Sequence, residues 1–401
     1  MQHNKRLDLL ALASIPLIMT LGNSMLIPVL PEIRRQLKVS DFQSSMLITV
    51  YSVMAILLIP AAGYLSDRLG RKVVIIPSLI IAGIGGAVCG AAAVWLDNSY
   101  SVILGGRVLQ GIGAAGAMPI VLPLVGDMFK SEEDVSAGLG IVETANTFGK
   151  VLSPILGSAL VLIAWYVPFW TIPVMCLISI VLVICLVKQP KKTEKKPQPL
   201  RQFLHSTWQL LKQNGRWLSA LFAIGGMAMF VLFGLLFYLS ETLEETHHYK
   251  GIVKGCILAI PLAVLCTASY ITGKCIGEKK PLMKWIMVSG CFLAASAIVG
   301  CLFSRSVVSL IAWMSVAGLG LGASLPCLDS FITEGIEKEQ RGTISSLYSS
   351  MRFAGVAAGP PVASLLMSPS NKPLFYTMAA VSATACALAL FAIRTSRSTE
   401  Q

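Results

Sequence analysis

Glu143, Asn146, Thr147 and Lys150 recur at three- and four-residue spacing inside a run that is otherwise apolar, with Pro154 and Gly157 continuing the same line. At 100° per residue these positions share one face of a helix. A carboxylate there can exchange a proton, an ammonium can hold an anion, and a carboxamide can hydrogen-bond either. Arg107 lies inside another apolar run, and Arg352 inside a third, where Ser345 and Ser349 fall on its face. A charge at mid-bilayer costs about 3 kcal/mol on the insertion scale, so such faces imply a water-filled passage. The competing reading is a structural network in which the buried charges only satisfy one another.

The elements that must carry these residues follow from composition. The 401 residues are 55% hydrophobic and 13% charged, with a mean hydropathy of +0.73, which describes an integral membrane protein. The apolar runs are continuous rather than alternating, which selects helices over a barrel. Twelve are expected, near 9–30, 43–64, 73–95, 101–125, 137–163, 167–187, 218–240, 252–273, 285–304, 307–328, 343–367 and 374–393. The first reads as an uncleaved span, too long for a signal peptide and followed by no small-residue cleavage site. Ten scattered cysteines form no Cys-x-x-Cys pair and read as small packing residues.

The net charge of +12 would suggest nucleic acid in a soluble chain, but its placement argues otherwise. With a cytoplasmic N-terminus, 22 of the 32 Lys and Arg fall inside, 7 outside and 3 within spans. That bias puts both termini of a multi-pass cell-membrane protein in the cytoplasm and leaves no nucleic-acid partner. A basic stretch, 188–217, divides the chain into six-helix halves, 1–187 and 218–401. Within it Leu200, Phe203, Leu204, Trp208 and Leu211 recur at helical spacing, as a helix lying on the inner leaflet would have them. The halves echo each other. Gly111, Gly113, Pro119 and Asp127 return as Gly318, Gly320, Pro326 and Glu334, while Gly149 and Pro154 return as Gly355 and Pro360, all offset by 206 or 207 residues.

The stretch Gly63-x-x-x-Asp67-Arg68-x-Gly70-Arg71-Lys72, a charged turn between two uncharged runs, resembles the loop between the second and third helices of the major facilitator superfamily. Arg107-x-x-Gln110-Gly111 resembles its fourth-helix motif, and Gly149-x-x-x-Ser153-Pro154-x-x-Gly157 the fifth-helix motif of its exporters. Ser153 and Ser158 stand where glycines are usual, and Gly355-x-x-x-Gly359-Pro360 restores the pattern in the eleventh run. The resemblance implies an all-α fold of two pseudo-twofold six-helix bundles and a drug:proton antiporter. It implies that Asp67 meets the N-terminus of the eleventh helix and Arg71 reaches Asp127, so that Gly63, Asp67, Arg68, Gly70, Arg71, Lys72 and Asp127 form a conformational latch. Glu143 would carry the proton, with Arg107 setting its affinity, and Lys150, Arg352, Asn146 and Asn23 would bind substrate. Gly149, Pro154, Gly157, Gly355, Gly359 and Pro360 would let the helices bend.

The remaining signals are bland. Gly111-x-Gly113-x-x-Gly116 fits a dinucleotide fingerprint, but no strand precedes it, and close helix packing is expected. His247 and His248, near Glu241, Glu244 and Glu245, read as solvated rather than as a metal site. Asp329 reads as an interfacial cap, and Lys254 as a snorkelling lysine. No phosphate-cradling loop, His-Glu-x-x-His or serine triad is present, so neither ATP hydrolysis nor an enzyme is expected, and no cofactor. The expected partners are a small-molecule substrate, protons and the lipid bilayer, with the chain a monomer. No acid follows Asp8 in the first span, and Lys150 and Arg352 outnumber Glu143, so the cavity reads as cationic and its substrate as anionic or neutral. The stretch Thr20-Leu21-Gly22-Asn23-Ser24-Met25-Leu26-Ile27-Pro28-Val29-Leu30-Pro31 resembles that of exporters of Gram-positive soil bacteria, some of which release catecholate siderophores. A lipid-headgroup flippase or a metabolite importer is the alternative.

Overall fold

The computed structural model describes residues 3–128, 132–187, 215–276, 280–334, 341–367 and 371–393, and within them every regular element is helical. The basic segment 188–214 and the charged residues 277–279 lie outside the described residues. The first half runs α1 (His3–Ser24), a 3-10 turn (Ile27–Val29), α2 (Leu30–Leu37), α3 (Asp41–Leu69), α4 (Arg71–Trp95), α5 (Tyr100–Met128), α6 (Glu132–Val161) and α7 (Val167–Leu186). The second runs α8 (Gly215–Glu245), α9 (Gly251–Cys275), α10 (Lys280–Cys301), α11 (Val307–Glu334), α12 (Arg341–Leu366) and α13 (Lys372–Phe391).

Among the described residues ten spans are long and apolar enough to cross a membrane, α1 and α2 counting as one. The two long helices outside that set are α6 and α12, of 30 and 26 residues. They are the fifth and eleventh crossings, and the charges that make them too polar for hydrocarbon are those expected to face water. Counting them, the chain's path is compatible with twelve crossings.

Local chemistry sets the breaks. Pro28 and Pro31 supply no N–H to the ladder, so the first crossing gives way to a 3-10 turn and the short α2 instead of ending at residue 30. Ser40 caps α3 reciprocally: its hydroxyl accepts from the Gln43 N–H at 3.2 Å, and the Gln43 side chain accepts from the Ser40 N–H at 2.9 Å. The charged turn at 63–72 is smaller than expected. Helix α3 continues through Leu69 and α4 begins at Arg71, so Gly70 alone makes the corner, with φ of 108°.

Glycines set the packing, and they do so twice. A Cβ at Gly111 would strike the Tyr51 carbonyl on α3, and one at Gly113 or Gly116 would strike Ser78 on α4. In the other half Gly318 abuts the Pro261 carbonyl on α9, and Gly320 abuts the Gly290 carbonyl on α10. The fourth crossing thus seats on the second and third as the tenth seats on the eighth and ninth. Likewise Gly157 presses on Met25 at the end of α1, and Gly355 presses on Gly226 of α8. Without a hydrophobic drive between helices in lipid, such backbone approach is what holds a bundle together. The three glycines of the dinucleotide-like pattern are all spent on it.

Candidate functional site

Four ionisable side chains meet between the halves. Glu143 and Lys150 come from α6, Asp329 from α11 and Arg352 from α12. Arg352 Nη1 lies 3.5 Å from an Asp329 carboxylate oxygen, and its guanidinium sits 5.6 Å from the centre of the Tyr348 ring. Lys150 is in the electrostatic reach of Arg352, Glu143 and Asp329, yet it has no ion pair among the described residues. It is only 8% exposed. Its side chain joins Ser24, Pro28, Pro154, Phe233 and Leu262 in lining a cavity of about 330 Å³, open mouth included.

Asp329 is therefore not an interfacial cap. Because α11 delivers it beside Arg352, it balances that arginine, and the cluster is two cations against two carboxylates rather than net cationic. The cation left facing the cavity is Lys150.

Glu143 is half-buried and accepts from Asn146 Nδ2 at 3.2 and 3.3 Å. Asn146 Oδ1 in turn accepts from the Thr20 hydroxyl of α1 at 2.5 Å. One turn along α1, Asn23 Oδ1 accepts from Arg107 Nη2 at 2.5 Å. Arg107 is fully buried: it also donates to the Leu47 carbonyl at 2.8 Å and to Gln110, and lies 4.6 Å from the centre of the Tyr51 ring. The two residues marked for proton coupling do not touch. Each is anchored to α1 instead, Glu143 through Asn146 to Thr20 and Arg107 to Asn23 one turn away, and the spacing of Thr20 and Asn23 was the signal in the sequence.

The α3–α4 corner holds together locally. Arg71 bonds Asp67 at 2.5 Å, Asp127 at 3.2 Å and the Ser66 hydroxyl at 2.7 Å. Arg71 thus contacts Asp127, and among the described residues Asp67 pairs with Arg71 one turn on, while the side chains at the start of the eleventh crossing, which Asp67 is expected to meet, lie outside the described residues. Arg68 is exposed. Lys72 caps the other side, donating to the Ile184 and Val187 carbonyls at 3.1 and 2.9 Å, where the end of α7 favours a cation. Contact with the second half falls at Gly63, whose Cβ position is 3.4 Å from the Ser346 hydroxyl of α12. The helices run unbroken through Pro154 and Pro360, and Gly149, Gly157, Gly355 and Gly359 all lie at helix contacts, Gly149 against α1 and Gly359 against α8.

At the opposite end of the bundles stands a cluster that the sequence reading missed. Arg34 of α2 bridges Asp41, Glu241 (3.5 Å) and Glu245, while Arg35 bridges Glu32 (2.9 Å) and Glu244. Lys254, 1% exposed, donates to Glu244 and to the Pro28 carbonyl, each at 2.7 Å. It does not snorkel; α9 buries it between the halves. The Ser240 hydroxyl donates to the Ile27 carbonyl at 3.1 Å. The adjacent Arg34 and Arg35 were the available signal, since a cationic pair facing the three glutamates at the end of α8 invites ion pairing.

Two helical bundles, tied at one end by ion pairs and enclosing a narrow cavity beside a cluster of buried charges, have the architecture of a membrane transporter. The chain belongs to the Major Facilitator Superfamily, whose profile matches residues 12–352 and 282–401. It is 53% identical to the bacillibactin exporter of Bacillus subtilis (strain 168) over 98% of both chains. It is 26% identical to the multidrug efflux protein YfmO of the same organism, covering 92% of this chain and 89% of that one. In fold it is similar to a bacterial homologue of the human lysosomal transporter Spinster, crystallised in its inward-facing, unoccupied conformation. The TM-score there is 0.78, at 16% identity over 98% of this chain and 97% of that one. Family and relatives are transporters, not enzymes.

Proposed function

We propose that the chain is a proton-coupled exporter of the cell membrane that expels a small anionic organic molecule, a siderophore of the catecholate kind. The observation that carries this reading is Lys150, a buried lysine among the residues lining the cavity, with no ion pair among the described residues. A desolvated charge without a counter-ion is costly, and an anionic ligand would offset that cost. The 53% identity to a bacillibactin exporter over nearly the whole chain supports the same substrate class.

In this reading Lys150 anchors the anion, and Arg352 joins when it swings from Asp329. Asn146 and Asn23 offer carboxamides to the ligand. Glu143 carries the exchanged proton, and Arg107 sets its affinity across the turn of α1 that holds Thr20 and Asn23. The monomeric carrier keeps both termini and the 188–217 segment in the cytoplasm. Asp67, Arg71 and Asp127 steady the cytoplasmic corner, and the Arg34 and Arg35 cluster closes the external face. Much of the described cavity volume is open mouth and little of it is enclosed, so loading a siderophore requires the bundles to part.

Uptake into inverted vesicles, with and without a pH gradient, tests the reading with anionic siderophores, neutral drugs and cationic dyes in parallel. Gradient-dependent uptake of the siderophore is expected; uptake of cationic dyes alone would sink it. The second reading is drug efflux. The carboxylate balance restored by Asp329 and the similarity to a multidrug efflux protein favour it, and the neutral-drug arm decides it.

A further inference from the structure

The cluster at the α2–α8 junction holds more carboxylates than cations. Glu32 and Asp41 from the first half and Glu241, Glu244 and Glu245 from α8 surround Arg34, Arg35 and Lys254. Lys250, His247 and His248 stand exposed at the rim, with Lys250 in reach of Glu32. Glu244 is well served, with Arg35 on one oxygen and Lys254 on the other. Glu241 is not. It is 3% exposed, one oxygen lies 3.5 Å from Arg34, and the other is buried with no hydrogen-bond partner among the described residues. Arg35, Lys254 and Glu245 are its other charged neighbours.

A buried carboxylate oxygen without a donor is costly while ionised, and a proton removes most of that cost. When the halves separate at this end, Glu241 meets water and keeps its charge freely. The closed form then holds one proton more than the open form over an intermediate pH range, so acid favours closure. We propose that Glu241 is the proton-binding residue that closes the external face: protonation seals α2 against α8, and release of the proton lets them part. Protons arriving from an acidic exterior would thereby return an emptied carrier to its inward-facing form. The inference rests on the chain being a transporter with two access states, and not on its substrate or on the role of Glu143.

The test is hydrogen exchange of residues 25–41 and 238–250 in the full chain in lipid nanodiscs, with wild type and variants compared at matched pH so that intrinsic exchange rates cancel. Glu241→Gln should protect these segments about tenfold or more over wild type near pH 8, and should match wild type near pH 5. Glu245→Gln, which removes an exposed partner of Arg34 in the same cluster, should gain no protection near pH 8. Equal protection of wild type and Glu241→Gln near pH 8 would overturn the proposal, as would an equal effect of Glu245→Gln. If Glu241→Gln is not recovered folded, Glu241→Asp decides: it must move the pH of half-protection, and an unmoved midpoint overturns the proposal.

Discussion

The Arg107 guanidinium donates to Asn23 Oδ1 across 2.5 Å and has no carboxylate in salt-bridge range among the described residues. Its charge is met by a carbonyl, two carboxamides and the face of Tyr51. A lysine also has three donors, but they radiate from one compact ammonium that cannot span acceptors spread around a planar guanidinium. Arg107→Lys is therefore expected to lose about 1.5–3 kcal/mol of charge-assisted hydrogen bonding. Thermal unfolding in detergent checks the loss, and initial transport rates should fall about tenfold or more.

Lys150→Met keeps the volume and the apolar stem but removes the anchor. Siderophore uptake should fall while uptake of any neutral substrate persists. Equal loss of both would make Lys150 a structural residue.

Glu143→Gln leaves the Asn146 contact available and removes a titrating group. Accumulation driven by a pH gradient should disappear, with counterflow exchange retained in the same vesicles. Unchanged pumping would place the proton elsewhere, and Asp329 would be the next residue to neutralise.

An anion leaving and a proton entering both move charge in the direction that an inside-negative potential favours, each by about 2.3 kcal/mol per 100 mV. Siderophore export should then accelerate when such a potential is imposed by a potassium gradient at fixed pH. Insensitivity to potential would mean electroneutral exchange.

Gly113→Ala should cost about 1–3 kcal/mol of bundle stability, because its methyl would enter the Ser78 backbone of α4. Gly126→Ala, with nothing within 4 Å of its Cβ position, should be neutral. Paired melts of the two variants check the contrast.

Much of this was legible in the sequence, for physical reasons. Hydropathy marks helices because the bilayer admits few alternatives, and the polar line from Glu143 to Gly157 is explained by α6 packing that face on α1 while Lys150 and Pro154 reach the cavity. What escaped required knowing which helices meet. Asp329 and Lys254 look peripheral when judged by distance from the end of a run, yet α11 brings one to Arg352 and α9 wedges the other against Pro28. The Arg34 cluster escaped for the same reason: its partners lie more than 200 residues away. The charged corner at 63–72 was recognised by type, but its single-residue tightness depended on Gly70 alone taking the strain.

The grip of Lys72 on the last carbonyls of α7 ties the sixth crossing to the corner that Arg71 organises. The last described carbonyls of the first half are thus pinned to the same charged group of residues as the α3–α4 corner. One ammonium group therefore couples any displacement of the sixth crossing to the hinge between the second and third.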